Sequence, residues 1–274
     1  MPDLFAPFHE GFVRLAVAEL ALVGIAAAGV GCWIVLHGLS YAAESLSHAL
    51  FPGLVAAGLL GIPLVLGGAG GALVAAAAIA AAGSIRGLDR DLGTAVVVTT
   101  AFGAGVLLAL SPATPRGLGA VLFGDALAVQ PRDLVVTAVV VVPLLGVLVV
   151  LHHRLLAVGF DRGAAALIGA RPRATEVALL VCIAAAVVVG TQALGSLLVV
   201  AILVAPAATA RLVARRLPAM FAIAAGVALA ASVAGIELSY HAGTAAGASI
   251  ALCLVGAYLV AVALGRGTVG AGAA

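Results

Sequence analysis

Apolar runs of bilayer length alternate along the chain with short polar connections. The first five cover about Phe12 to Leu36, Leu46 to Ile62, Leu64 to Ala82, Leu92 to Leu110 and Leu134 to Leu151. The next four cover about Val177 to Val189, Leu194 to Ala210, Ala219 to Ile236 and Thr244 to Leu264. A helix that crosses a bilayer needs about 20 mainly apolar residues. The pattern therefore predicts an all-α integral membrane protein, a polytopic bundle of about eight to nine transmembrane helices forming one domain over residues 1–274. Run two, broken by Pro52, and run six are short, so they are either re-entrant or parts of longer spans. Run six gains length only by reaching back past Glu176 or forward through Gly190-Thr191-Gln192. Run three contains Gly67-Gly68-Ala69-Gly70-Gly71, small residues that let two helices approach closely.

The polar connections carry the chemistry. Between runs one and two lies His37-Gly38-Leu39-Ser40-Tyr41-Ala42-Ala43-Glu44-Ser45-Leu46-Ser47-His48-Ala49. Glu44 and His48 are four apart and share one face of a helix. A carboxylate and an imidazole are ligands for a divalent transition metal, and ionisable groups are kept inside membranes at a cost that usually reflects function. The plainer reading is a helix-surface pair at the membrane edge. His37 is a second possible metal contact or an interfacial histidine. Glu237 and His241, also four apart, lie in the last outer connection, as a metal-receiving pair at the entrance or as a solvated pair. Glu19 lies within run one, facing the bundle interior or the interface. His152 and His153 follow run five, as exit-side contacts or interfacial residues.

Composition agrees with the pattern and excludes much else. Of 274 residues 65% are hydrophobic and 9% charged, against about a quarter charged in soluble domains, and mean hydropathy is +1.31. A net charge of +2 gives no sign of nucleic-acid binding. All thirteen basic residues are arginine, and their placement orients the chain. Nine spans with the amino terminus outside put ten arginines inside, leaving Arg14, Arg116 and Arg132 on or near the outer side. Cys32, Cys182 and Cys253 lie in apolar runs without CxxC spacing and read as small buried hydrophobes. The first ten residues have no basic n-region, so no cleaved signal peptide is expected. No Gly-x-x-x-x-Gly-Lys-Ser/Thr loop exists, and no lysine from which to build one, so the chain does not itself hydrolyse ATP.

The inside connection between runs five and six, about residues 154–175, contains Phe160-Asp161-Arg162-Gly163-Ala164-Ala165-Ala166-Leu167-Ile168-Gly169. Asp161 can cap a short helix through Leu167 and Gly169 can end it. Such a helix is either a docking device or an amphipathic segment lying at the interface.

Four motifs, in order and spacing, resemble the membrane-spanning permease subunit of zinc/manganese-type ABC importers. They are Glu44-Ser45-Leu46-Ser47-His48-Ala49 with Pro52-Gly53, then Leu122-Phe123-Gly124-Asp125, then the Phe160 to Gly169 loop, then Pro206-Ala207-Ala208-Thr209-Ala210-Arg211. The family's first motif usually reads Gly-Asp-(Ala/Ser)-x-(Ser/Ala)-His, where this chain has Ala43-Glu44. The resemblance implies a metal transit site at Glu44 and His48, and an ATPase-coupling loop with Phe160, Asp161, Ala165, Leu167 and Gly169. It implies a homodimer of permeases in the bacterial cytoplasmic (inner) membrane, a cytoplasmic ABC ATPase dimer and an extracytoplasmic metal-binding protein. Zinc or manganese is then a cargo, and no cofactor is permanently bound. Two-fold symmetry would bring two Glu44/His48 pairs together as four N/O ligands. Read without the resemblance, the same ionisable groups also fit a stand-alone proton- or ion-coupled carrier with Glu19, Glu44 and His48 as relays. An ABC permease for a metal chelate or other solute, and a membrane scaffold, are further readings.

Overall fold

A computed structural model describes residues 9–85, 87, 89–112, 128–196 and 198–270. The described residues form eleven helices and no strand. They are α1 (Gly11–His37), α2 (Ser40–Ala49), α3 (Phe51–Leu60), α4 (Leu64–Ala82), α5 (Arg90–Ala109) and α6 (Pro131–Phe160). There follow α7 (Arg162–Leu167), α8 (Pro172–Leu194), α9 (Val199–Val213), α10 (Leu217–Ala242) and α11 (Ala246–Gly270). Among the described residues eight segments are long and apolar enough to cross a membrane, with α2 and α3 counted together as Ser40–Leu60. At 15 residues, α9 is about 22 Å long, short of a bilayer core of about 30 Å. The backbone break at Gly195, φ 78° and ψ 162°, precedes it, and its buried face packs on α1, α10 and α11.

Several polar connections of the sequence are helix. The stretch around Glu44 starts the second span at Ser40, so Glu44 and His48 stand four and eight residues inside a crossing helix, about 6 and 12 Å along it. Run six extends both ways, from Pro172 to Leu194. Run five continues past His152 and His153 to Phe160, which leaves only residues 161–171 to connect it to the next span. The reason is shared: in a low-dielectric surrounding, backbone N–H and C=O groups must be satisfied within the segment, so a helix continues through polar residues until a cap or a proline stops it. Pro131, Pro172 and Pro218 each stand at the start of a helix, where the missing N–H costs nothing. Leu122-Phe123-Gly124-Asp125 lies outside the described residues.

The bundle is built around α1 and α8. α1 packs on α6, α8, α9 and α10, while α8 also touches α2 and α4. Trp33 is fully buried near the inner end of α1, against His37, His152 and Phe221. Glycine sets the closest approaches. A Cβ on Gly53 would meet the carbonyl oxygen of Gly67, and the Cα of Gly71 at 2.8 Å, so α3 and α4 touch backbone to backbone. On α5, a Cβ at Gly105 would lie 2.7 Å from the Phe51 ring and 2.9 Å from the nitrogen of Pro52. This contact seats the α2–α3 junction on α5. By contrast, α5 and α11 leave most of their surface uncovered.

Gly53→Ala is expected to force α3 and α4 apart, because the atoms in the way are backbone, and to cost about 1–3 kcal/mol. A fall of several degrees in thermal midpoint in detergent checks it, with Gly70→Ala, which meets open space, as the control that leaves the midpoint unchanged.

Candidate metal transit site

The α2 helix divides sharply by face. Ala42, Ala43, Ser45, Leu46, Ser47 and Ala49 are buried, packing on α5 and α8. Tyr41 and Glu44 are exposed and His48 is half-buried on the opposite face. The helical period alone puts Glu44 and His48 on the same uncovered stripe. Phe102 of α5 flanks it, its ring 6.2 Å from the His48 ring and 5.7 Å from that of Phe51. One turn beyond His48, Pro52 has no N–H to offer the His48 carbonyl, and the span breaks there into α2 and α3. Among the described residues no cation pairs with Glu44, and the only hydrogen bond of this residue beyond the helix ladder is Ser47 Oγ donating to its backbone carbonyl at 2.7 Å. No group of three or more His, Cys, Asp or Glu assembles among the described residues, so one chain supplies two ligands and not a closed metal site.

The other candidates are placed elsewhere. His37 ends α1 and faces α6, its Nε2 3.1 Å from the Leu155 carbonyl oxygen, so it ties two helices together and does not join Glu44 and His48. Glu237 and His241 lie on the last turns of α10 and not in a loop, with Nε2 of His241 3.3 Å from Oε2 of Glu237. Glu19 is buried and accepts a hydrogen bond from Thr137 Oγ1 on α6 at 2.5 Å. His152 packs edge-on against Trp33 and His153.

At the cytoplasmic end, Asp161 Oδ1 accepts from the N–H groups of Gly163 at 2.7 Å and Ala164 at 3.0 Å, capping α7. Gly169, at φ 77°, turns the chain away. Ala165 is buried with Val158 and Ala170, which anchors α7 to the end of α6. The large apolar side chains that remain open are Phe160, Leu167 and Ile168, 93%, 90% and 74% exposed. Any docking surface here is therefore made by those three, and Ala165 holds it in place. Sequence reasoning missed Phe102, the partner of His48, and Glu176, which binds Arg90 at 2.7 Å and Arg162 at 2.6 Å. Phe102 carries no local signal in an apolar run. For Glu176 the signal was a lone carboxylate among arginines at the inner end of a span.

A multi-pass bundle with a carboxylate and an imidazole on an open face within a span, and a short capped helix between two spans, has the build of a transport subunit. Residues 9–265 match the ABC 3 transport family, and the chain belongs to it. It is the membrane-spanning permease subunit of an ABC importer in the cytoplasmic membrane, a transport component and not an enzyme. That membership decides against the stand-alone carrier and the scaffold. The chain is 32% identical over 250 residues to the manganese import system permease protein ScaB of Streptococcus parasanguinis, covering 91% of this chain and 89% of that one. It is 29% identical over 263 residues to a probable iron transport system membrane protein of Haemophilus influenzae, covering 96% and 97%. Among solved structures, a chain of PsaBC from Streptococcus pneumoniae in complex with Fab superposes with a TM-score of 0.82 at 30% identity, covering 92% and 91%.

Thr137→Val is expected to strand the Glu19 carboxylate and cost about 1–3 kcal/mol or more. Adding Glu19→Leu should restore part of the loss, since an apolar pair replaces a half-satisfied polar one. Thermal midpoints of the single and double variants check this.

Proposed function

We propose that this permease moves a divalent transition-metal ion, manganese or zinc, through a site made by Glu44 and His48 from each of two copies. The observation that carries the reading is a carboxylate on an uncovered helix face inside a membrane span. Such a group facing lipid is costly, so the face belongs to an aqueous path or a second subunit. A two-fold axis along that face brings two carboxylates and two imidazoles together, a mixed O/N set that suits either ion. The ScaB relative bears manganese in its name and the Haemophilus influenzae relative iron, which supports a first-row divalent metal as cargo. Ligands shared between copies also allow release: when the copies separate, each keeps only two, and the ion leaves.

The driving force comes from a cytoplasmic ATPase dimer seated on Phe160, Leu167 and Ile168, and an extracytoplasmic binding protein delivers the ion. Glu44 supplies the charge that the family's commoner aspartate would supply, one methylene further from the backbone. The Phe102 rings wall the site on the α5 side and limit access of water.

Glu44→Gln and His48→Ala are each expected to lower uptake of radiolabelled manganese and zinc by roughly tenfold or more, at equal membrane level. Glu44→Asp should transport, with a changed manganese-to-zinc ratio. Wild-type uptake by both Glu44→Gln and His48→Ala would rule the site out. For the coupling loop, Leu167→Glu and Phe160→Glu alter exposed side chains, so the permease should still fold. Co-purification with its ATPase should be lost, and retained ATPase with normal uptake would show that docking lies elsewhere.

A further inference from the structure

A recess of about 740 Å³ opens at the cytoplasmic end of the bundle, lined by Arg90, Arg162, Arg171 and Arg173 beside Gly83, Pro172 and Ala174. We propose that it is a binding site for a phosphate group, that of an anionic phospholipid headgroup of the inner leaflet. Four guanidiniums converge there from three separate segments. Arg90 opens α5, Arg162 opens α7, and Arg171 and Arg173 flank the first residue of α8.

Two of the four are held in place by a single carboxylate. Glu176, largely buried, receives Arg90 on one oxygen and Arg162 on the other. That fixes two planar donor forks at the rim and neutralises one charge of four. Neighbouring carboxylates do not enter: Asp89 and Asp161 are used as helix caps, and neither they nor Asp91 line the recess. The starts of α5 and α8, helices of 20 and 23 residues, add the positive ends of two helix dipoles. Arg171 is the single non-glycine residue with positive φ among those described, at 47°. A strained backbone at a site of converging charge indicates that the aim of this side chain matters.

The level of the recess selects the source of the phosphate. It lies where two spans, α5 and α8, begin on the arginine-rich side, and basic pockets between helices on the cytoplasmic side take anionic headgroups. Phe160, Leu167 and Ile168, the open apolar side chains of the α7 region, do not line it; Arg162 is the one residue of α7 that does. A phosphodiester here would bridge α5, which carries Phe102, to α7.

The test uses the full-length chain, stripped of lipid in detergent and titrated with phosphatidylglycerol or phosphatidylcholine, with retained lipid counted by native mass spectrometry. Wild type should retain phosphatidylglycerol in preference. Arg171→Gly with Arg173→Gln, which relieves the positive φ while removing two charges, should weaken that retention by about 30-fold with a thermal midpoint no lower than that of wild type. Arg211→Gln, on the same side but outside the recess, should leave it unchanged. Inorganic phosphate and glycerol phosphate form a competing arm: displacement of the retained phosphatidylglycerol by either at equal concentration would assign the recess to a soluble phosphate and overturn the lipid proposal. No preference in wild type, retained preference in the double variant, or an equal loss in Arg211→Gln would overturn the proposal. Loss of the co-purifying ATPase with lipid retention intact would assign the arginines to that interface and overturn it as well.

Discussion

A carboxylate inside a hydrocarbon layer must be matched by charge, by hydrogen bonds or by water. Glu19 and Glu44 meet that demand in opposite ways. Glu19 turns inward and takes the hydroxyl of Thr137; it belongs to the packing between α1 and α6. Glu44 turns outward, exposed and without a cationic partner among the described residues, on a helix whose other face is closed by α5 and α8. One carboxylate has a partner for one of its oxygens within the chain, and the other has none among the described side chains. The proposed transit site rests on that second carboxylate.

Holding α2 in that position depends on close backbone packing. Hydrocarbon gives little drive for one apolar helix to leave lipid for another, so shape and contact do the work. Gly53 against Gly67 and Gly71, and Gly105 against Phe51 and Pro52, bring α3, α4 and α5 to backbone distance. The break at Pro52 lies in the middle of these contacts and one turn from His48. A small change in the seating of α5 on the α2–α3 junction therefore moves both Phe102 and the imidazole it faces.

The same α5 helix reaches the cytoplasmic end through Arg90, and Glu176 links it there to Arg162 of α7. A single carboxylate thus spans the start of α5, the start of α7 and the first turns of α8. Displacement of α7 by a partner would be passed through two short ion pairs to α5, the helix that flanks the Glu44/His48 face. Such pairs are strongest where water is scarce, and Glu176 is the least exposed of the three side chains.

The order of the spans, the Glu44/His48 stripe and the Asp161-capped helix were all legible along the chain. Each depends on interactions a few residues long: hydropathy over about twenty residues, the helical repeat, a cap reaching two or three residues ahead. Helix boundaries were not, because polar residues at a span's end stay helical once the backbone has no water to turn to. That is why Glu237 and His241 are on α10 and Glu44 is inside a span. Which carboxylate would be satisfied was decided only by packing: Thr137 stands 118 residues from Glu19. The contacts of Phe102, Ala165 and Glu176 were decided in the same way. Sequence placed the ionisable groups in the membrane; tertiary structure decided which of them to close and which to leave open, because the cost of a buried charge depends on neighbours that only folding brings.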